Sequence, residues 1–312
     1  MEDVDKMKGK LRKLVTDAEI KSALDLWSGS ITEAARYLSD LIGHPVSVSL
    51  LSRWSSDINY RTRRKEPPKV LIFDIETSPL LCYTWGIWQQ NIPIGAIVED
   101  WKVLCWSAKW LGQKNMFKHN TLSASEEEVV EELWYLLDEA EVVVAHNGKQ
   151  FDVKKMNAKF MEFGLGQPSY YQVVDTLQIA KGNLALTSNK LDWIAKFLQE
   201  DRKSKVDFQL WLDCMDGCSK AFKTMQKYCD QDVRVLERVY LKLRPLDKRT
   251  PNMGAYTGKH CCPACGSEDV VYVTDKYTAA GTYQVYQCMD CDHNMKLRNN
   301  TKPKNEERFT SV

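Results

Sequence analysis

Two acidic residues in the apolar stretch that begins at Val70 have the spacing of metal ligands on a strand. Asp74 and Glu76 lie two positions apart, so on a β-strand both side chains point to the same face of a sheet. Two carboxylates on one face of a core strand are costly to bury unless a cation, usually a divalent metal ion, neutralises them. The alternative is that the strand ends before Asp74 and that both carboxylates are solvated.

A second group of polar residues follows the next strand-like run, from Val142 to Gly148. Asn147 lies where this strand would end, and Phe151 and Asp152 come just before a helical pattern of apolar residues. Open α/β sheets hold their ligands at the C-terminal ends of strands and at helix N-termini. The alternative for Asp152 is that it only interacts favourably with the dipole of its own helix.

A third pair of residues lies in a helical pattern that runs from Lys220 to Leu243. Tyr228 and Asp232 are four residues apart, so they share one face of this helix. Asp230 is two residues from each of them and is interpreted as a solvated acid on another face. The pattern therefore predicts one further carboxylate and a phenol that a tertiary fold could bring to the first two groups.

Four cysteines near the C-terminus have the spacing of a tetrahedral zinc site. Cys262 and Cys265 form one Cys-x-x-Cys pair, and Cys288 and Cys291 form a second one after 22 intervening residues. Two such pairs supply the four thiolates of a structural site, so we predict one structural Zn²⁺ here. Neighbouring side chains that could replace a ligand are Cys261, His260 and His293.

The segment between the two cysteine pairs predicts a zinc ribbon. Val270 to Thr274 and Thr282 to Cys288 read as two strands, joined by a turn from Thr278 to Gly281. A module this short cannot build a large core, so zinc would supply much of its folding free energy. Its tyrosines and basic residues suit nucleic-acid contacts or the docking of a protein partner, and both interpretations stay open.

The three acidic segments together resemble a known family. Asp74-x-Glu76, Asn147-x-x-x-Phe151-Asp152 and Tyr228-x-x-x-Asp232, in this order, resemble the three motifs of the DEDDy 3′–5′ exonucleases. The likeness is closest to the proofreading domain of family B DNA polymerases and to its stand-alone relatives. It covers residues 69–244, where Val173 to Leu177 and Asn189 to Ala195 also match. The resemblance implies an α/β fold, a ribonuclease-H-like mixed sheet flanked by helices.

The resemblance also implies the chemistry of the site. Two Mg²⁺ or Mn²⁺ ions would be held by Asp74, Glu76, Asp152 and Asp232, and Tyr228 would orient the attacking water for phosphodiester hydrolysis. The residues implied to contact the substrate are Thr77, Asn147 and Phe151. His146 is expected to face the opposite way from Asn147, because neighbours on a strand alternate between its faces, and to be a core histidine or one that supports the site residues without touching the substrate. The implied partner is nucleic acid, with DNA favoured over RNA.

The N-terminal region reads as three helices, from Thr16 to Trp27, from Ser30 to Leu38 and from Ser47 to Trp54. Their arrangement resembles a helix-turn-helix DNA-binding unit. Arg53 and the basic run from Arg61 to Lys65 would supply phosphate contacts. A plain helical module that binds a protein partner is the alternative.

Composition divides the chain into three predicted parts: a helical module at 1–66, the exonuclease domain at 67–247, and the zinc ribbon with a polar tail at 248–312. Residues 70–247 carry 21 basic and 25 acidic residues, whereas the flanking segments have net charges of +3 and +2. No apolar run has the ~18 residues of a membrane span, and no secretory signal opens the chain. We expect a stand-alone, non-secreted enzyme in the cytoplasm of a bacterial or virus-infected cell.

Two alternatives to a DNA exonuclease remain open at this point. The first is an RNA exonuclease with the same metal site, because discrimination depends on contacts to the 2′-hydroxyl that the sequence does not reveal. The second is a non-catalytic DNA-binding or assembly factor on a ribonuclease-H-like scaffold. The complete set of four carboxylates and Tyr228 favours an enzyme, since a scaffold has no need of that set.

Overall fold

In the computed structural model, five segments between residues 70 and 175 pair into one mixed sheet. Its order is β5-β4-β1-β6-β7, in which β1, β6 and β7 are parallel and β4 is antiparallel to both β1 and β5. The strands are β1 Val70–Thr77, β4 Val103–Trp110, β5 Phe117–Asn120, β6 Val142–Ala145 and β7 Gln172–Asp175, and a separate short ribbon pairs β2 Leu81–Cys82 with β3 Ile97–Glu99. The predicted mixed α/β sheet is thereby confirmed.

The structure describes residues 11–27, 31–57, 67–88, 90–200, 206–278 and 281–301. It divides into two units, one of which is Lys69–Tyr240, while the other combines the segments on either side of it. The predicted basic run at 61–65, two residues of the predicted turn at 279–280 and the polar tail at 302–312 lie outside the described residues. The predicted boundaries at residues 66 and 247 stay predictions.

Helices cover the sheet of the Lys69–Tyr240 unit. They are α4 Glu126–Glu139, α5 Asp152–Glu162, α6 Thr176–Asn183, α7 Leu191–Phe197, α8 Gln209–Met215 and α9 Ser219–Leu243. A capping box of Ser125 and Glu128 opens α4, and the apolar stripe of this helix, including Leu133 and Leu137, is fully buried. The indole N–H of Trp106 on β4 donates to the Val129 carbonyl at 2.6 Å, which ties α4 to the sheet.

The alternation of side chains along β4 places a different helix on the opposite face. Trp106 and Ala108 share a buried apolar cluster with α4 and α5, whereas Cys105 packs with Phe222, Met225 and Cys229 of α9. Because α9 covers the face on which β1 carries Asp74 and Glu76, the fold brings the third acidic segment to the first one.

Asp230 is a buried residue of this interface, and its prediction as a solvated acid is wrong. Its side chain is 5% exposed, accepts a hydrogen bond from the Ser107 hydroxyl at 2.7 Å and pairs with Lys118 at 2.8 Å. One turn before it, Gln226 bonds to Ser107, and two turns after it, Glu237 pairs with Lys109. Polar groups of β4 therefore pair with a polar stripe of α9, which helical periodicity of apolar residues does not reveal.

The N-terminal segment forms three helices, α1 Asp17–Leu26, α2 Ile31–Ile42 and α3 Val48–Asp57. Thr16 and Glu19 form a capping box at the start of α1. The helices share a buried core that includes Leu24, Leu38 and Trp54. The three predicted helices are confirmed, while the helix-turn-helix interpretation and its DNA contacts stay predictions.

The C-terminal segment contains a short helix, α10 Met253–Thr257, and a three-stranded antiparallel sheet of order β10-β9-β8. The strands are β8 Val270–Thr278, β9 Gly281–Cys288 and β10 Asn294–Lys296. The two predicted strands are confirmed, and β10 was not predicted. Their cluster of buried residues consists of Ala264 and three cysteines, so little apolar core is present. Among the described residues, no helix is both long enough and apolar enough to cross a membrane.

Candidate active site

Three carboxylates from two elements converge on the face of the sheet that α9 covers. One carboxylate oxygen from each of Asp74, Glu76 and Asp232 lies within 4.8 Å of the other two. Asp74 and Glu76 belong to β1, so the alternative that they are solvated loop residues is wrong. Asp232 comes from α9 and is only 2% exposed. Hard oxygen donors this close together repel one another unless a cation neutralises them, so this donor set fits a divalent metal ion.

Asp152 lies against the same strand but outside this three-carboxylate cluster. It is the first residue of α5 and is 2% exposed, and its Oδ1 accepts a hydrogen bond from the Ile75 backbone N–H at 3.3 Å. Ile75 is the residue between Asp74 and Glu76 on β1. Asp152 therefore does more than interact with the dipole of its own helix, because its carboxylate bonds directly to the strand that carries the first two acids.

Two buried thiols lie beneath the carboxylate cluster. The Cys229 thiol is 3.4 Å from the Asp74 carbonyl oxygen and 3.8 Å from its Oδ2. Burial, a hydrogen bond with Cys105 and the nearby negative charges raise the pKa of Cys229 well above its usual value. The hydrogen bond with Cys229 favours the Cys105 thiolate, but burial and the charges of Glu76 and Asp74 outweigh it, so the pKa of Cys105 is also raised. Both thiols are therefore neutral neighbours of the carboxylates.

The loop after β6 is shaped by Asp175 at the end of β7. Its Oδ1 accepts from the backbone N–H groups of Asn147 at 2.9 Å and Leu177 at 3.0 Å, and its Oδ2 accepts from Lys149 at 3.3 Å. Asn147 adopts a left-handed conformation with φ of 64°, which asparagine tolerates better than most residues. A Cβ on Gly148 would lie 2.3 Å from the Ala145 Cβ, so only glycine fits there.

A cavity of about 850 Å³ opens beside these residues. Of the residues that the sequence predicts for the site, Asp74, Asn147, Tyr228 and Asp232 line it. Glu76 joins the carboxylate cluster from the end of β1, and Thr77 is the last residue of that strand. Phe151 is the N-cap of α5, is 39% exposed and has the Lys155 ammonium 5.7 Å from its ring centre. Glu76, Asp152, Thr77 and Phe151 are not among the residues that line the cavity.

His146 lines the cavity together with Asn147, so the prediction that these two residues face opposite ways is wrong. The strand ends at Ala145, and the alternation of a strand no longer applies one residue later. The ring holds the loop through both nitrogens, with Nδ1 2.9 Å from the Thr176 hydroxyl and Nε2 3.0 Å from the Asn189 carbonyl. His146 is thus a positioning residue of the cavity wall.

Several cavity residues were not predicted from the sequence. Lys181 and Lys190 supply positive charge, and Trp211 of α8 packs edge to face against Tyr228 with ring centres 6.2 Å apart. No spacing rule links α6, α7 and α8 to the acidic segments. The available signal was the match of Asn189 to Ala195 to the family, which includes Lys190. The other residues that line the cavity are Leu177, Asn189, Leu191, Asp192 and Val206.

The four predicted cysteines of the C-terminal segment come together. Their sulfur atoms all lie within 4.8 Å of one another, with Cys262 and Cys291 3.7 Å apart and Cys265 and Cys288 3.6 Å apart. A tetrahedral zinc ion with Zn–S bonds of ~2.3 Å needs sulfur atoms about 3.8 Å apart, so the donor set fits this ion. His293 instead bonds through Nδ1 to the Pro245 carbonyl at 2.8 Å.

The environment of Cys288 favours a thiolate. Burial opposes ionisation, but hydrogen bonds from the backbone N–H groups of Asp290 and Cys291 outweigh it and lower the pKa of Cys288. Burial raises the pKa of Cys265 to about 11. Four thiols this close together cannot all ionise without a cation, which is the behaviour expected of a metal-binding cluster.

Comparison with known proteins adds a family match over part of the chain. Residues 103–244 match RNase_H_2, a family described as RNase_H superfamily. The match covers less than half of the chain, so it gives a similarity of this segment to that superfamily. The matched range includes Asp152, Tyr228 and Asp232 and begins after the strand that carries Asp74 and Glu76. Together with the five-stranded mixed sheet, it confirms the predicted ribonuclease-H-like fold.

None of the curated proteins compared matches the chain. Among solved structures, the family B DNA polymerase from the hyperthermophilic archaeon Pyrobaculum calidifontis is similar, with a TM-score of 0.45 and 17% sequence identity. The similarity covers 58% of this chain and 25% of the polymerase chain, so the chain spans about a quarter of that protein's length.

Proposed function

We propose that the chain is a metal-dependent 3′–5′ exonuclease that hydrolyses phosphodiester bonds, with DNA as its main substrate. The observation that carries this proposal is the cluster of Asp74, Glu76 and Asp232, which lies beside an open cavity on a ribonuclease-H-like sheet. The RNase_H superfamily match supports a nucleic-acid hydrolase in general. The 3′–5′ direction follows only from the resemblance of the three motifs to the DEDDy exonucleases.

The roles of the residues follow from their positions. Two Mg²⁺ or Mn²⁺ ions bound here would activate a water molecule and stabilise the leaving oxygen. Asp74, Glu76 and Asp232 would hold them, and Asp152 would complete the set from α5. The Tyr228 hydroxyl would orient the attacking water, since Tyr228 lies one helical turn before Asp232 on the same face of α9.

The cavity wall supplies the groups that would position the nucleic acid. Lys181 and Lys190 would neutralise backbone phosphates, and Asn147 would contact the terminal nucleotide from its constrained turn. Neutralising phosphate charge beside a carboxylate cluster lowers the repulsion between an acidic site and a polyanion. The carboxylates would therefore hold the metal ions, while the two lysines would reduce the repulsion between the site and the phosphates.

Degradation of end-labelled strands tests the proposal. Single-stranded DNA labelled at the 3′ end should release its label at once as a mononucleotide, whereas strands labelled at the 5′ end should shorten stepwise. Both reactions should need Mg²⁺ or Mn²⁺ and should stop when the metal is chelated. Parallel reactions with duplex DNA and with RNA of the same sequence decide the substrate, and faster degradation of RNA would favour the RNA exonuclease alternative.

Three outcomes would each contradict one part of the proposed function. Early release of a 5′ label would overturn the direction, and internal cleavage of a circular strand would show an endonuclease. An absence of hydrolysis with either metal ion, in protein that binds the same strands, would favour a non-catalytic DNA-binding factor.

The position of Trp211 predicts a selective effect on turnover. Trp211→Ala removes the ring that packs against Tyr228, so we expect kcat to fall by up to about 100-fold, the cost of a displacement of about 1 Å at a reacting centre. Trp211→Phe keeps an aromatic edge and should retain most of the activity. Steady-state kinetics measure the effect, and Mn²⁺ affinity should be the same in all three proteins. A loss of Mn²⁺ binding in Trp211→Ala would show that the ring supports the metal site instead.

A further inference from the structure

The two faces of the sheet formed by β8, β9 and β10 differ in charge. Directly opposite residues of an antiparallel pair point to the same face. Lys276 lies opposite Tyr283, and Lys296 lies opposite Val285, which is two positions along β9 from Tyr283. Lys276, Tyr283 and Lys296 therefore share one face, which we call the basic face.

The other face carries the acidic residue and borders the cysteine cluster. Asp275 lies opposite Gln284, and Tyr272 lies opposite Tyr286, with their rings edge to face at 6.0 Å. Met295, opposite Tyr286, packs against the cysteines. Asp275, the one carboxylate on β8 or β9, is thus directed away from the basic face. The nearest carboxylate on that side is Asp292, which bonds to the Gln287 side chain at 3.5 Å at the far end of β9, two residues beyond the partner of Lys296.

Both lysines of the basic face are exposed, and one of them contacts the tyrosine. The Lys296 ammonium lies 4.1 Å from the centre of the Tyr283 ring, within cation–π distance. Among the described residues, neither Lys276 nor Lys296 forms a salt bridge. Lys259 in the same segment differs, because its ammonium pairs with Glu268 at 2.5 Å. The ammonium groups of these two lysines are therefore available to bind an external anion.

We propose that the basic face binds the sugar-phosphate backbone of a single-stranded nucleic acid. Two unpaired ammonium groups match successive phosphates by charge, and the ring that holds Lys296 reduces the side-chain entropy lost on binding. The partly exposed ring of Tyr283 lies beside them, and aromatic rings in such sites stack with bases. This site is independent of the carboxylate cluster, so the proposal stands or falls separately from the proposed nuclease activity.

Salt-dependent binding of the full chain tests this site. The probes are labelled oligothymidylate and oligouridylate of about 20 nucleotides, longer than the usual contact length of small binding modules. All proteins carry Asp74→Asn, so that hydrolysis does not shorten the probe. Lys276→Gln with Lys296→Gln removes two phosphate contacts, and the slope of log K against log salt should become shallower by about 1.4. This change in slope corresponds to binding of the double variant that is about 25-fold weaker than that of the parent protein at 0.1 M salt, and the difference vanishes towards 1 M salt.

Two control variants test whether a loss of binding is specific to the basic face or follows from the loss of any lysine or any tyrosine in this segment. Lys259→Gln removes a lysine that is already paired, and Tyr277→Ala removes an exposed tyrosine opposite Thr282 on the other face. Both should bind like the parent protein, whereas Tyr283→Ala should weaken binding. Zinc content and circular dichroism verify the fold of each variant. Equal affinity and slope for parent and double variant, or an equal loss in Lys259→Gln, would overturn the proposal and favour protein docking at this face.

Discussion

Asp232→Asn should reduce the rate of phosphodiester hydrolysis by at least about 1,000-fold, which corresponds to about 4 kcal/mol of activation free energy. Asp232 is the buried member of the carboxylate cluster and meets Asp74 and Glu76 from a different element. Asparagine has nearly the same shape but no charge, so the fold is kept while a metal ligand becomes a weak neutral one. Metal stabilisation of the transition state is worth several kcal/mol, and most of it should be lost.

The control is Asp216→Asn, which neutralises an exposed aspartate at the C-terminal end of α8. It should hydrolyse labelled strands at the rate of the unmodified protein. Near-normal activity in Asp232→Asn would contradict the assignment of the cluster as the catalytic metal site.

Thermal unfolding gives a readout that does not depend on activity. Without metal, the three clustered carboxylates repel one another, so Asp232→Asn should leave the free energy of unfolding unchanged or increase it. With Mn²⁺ at about 100 times its dissociation constant, binding should stabilise the unmodified protein by about 2.7 kcal/mol, and the variant should gain much less. An equal gain for both proteins would contradict Asp232 as a ligand.

The strands β1, β6 and β7 and the convergence of the acidic segments could be predicted because each has a local signal, whereas β4 and β5 were not predicted. The apolar run before Asp74, the capping box of Ser125 and Glu128, and the long pattern of α9 each identify an element by itself. The order of the three motifs then supplied the long-range information, since the resemblance implies which elements are neighbours. Spacing alone on β1 left open whether Asp74 and Glu76 were buried or solvated.

The remaining features depend on contacts between distant segments, which local patterns do not encode. Asp230 pairs with Ser107 and Lys118, which are more than 100 positions away in the sequence. Because the local pattern does not show these partners, its charged side chain was predicted to be exposed to solvent. Asp175 shapes the turn of Asn147 through backbone N–H groups that any sequence would supply. The direction of the His146 side chain was predicted wrongly because the strand was extended past Ala145 to Asn147. Buried polar pairing is therefore the main source of error in the prediction of this site.

Removal of zinc from the C-terminal segment should unfold that segment and leave the carboxylate site active on short single strands. The buried core of the segment is Ala264 with Cys262, Cys288 and Cys291, so without a metal ion it has almost no apolar contacts to hold β8 and β9 together. Binding of structural zinc supplies about 10–16 kcal/mol in small modules of this kind, which exceeds what such a core could supply.

Neighbouring cysteines provide a matched pair of variants for this prediction. Cys262→Ser removes a member of the four-sulfur cluster, and Cys261→Ser changes the adjacent thiol outside it. We expect Cys261→Ser to retain about one zinc ion per chain after dialysis and Cys262→Ser to lose it, because serine is a poor zinc ligand. Hydrogen exchange should then show fast exchange of the β8 and β9 amides in Cys262→Ser only. Retention of zinc by Cys262→Ser, or its loss from Cys261→Ser, would assign the ligands differently, and slow exchange in zinc-free protein would show that the sheet does not need the metal.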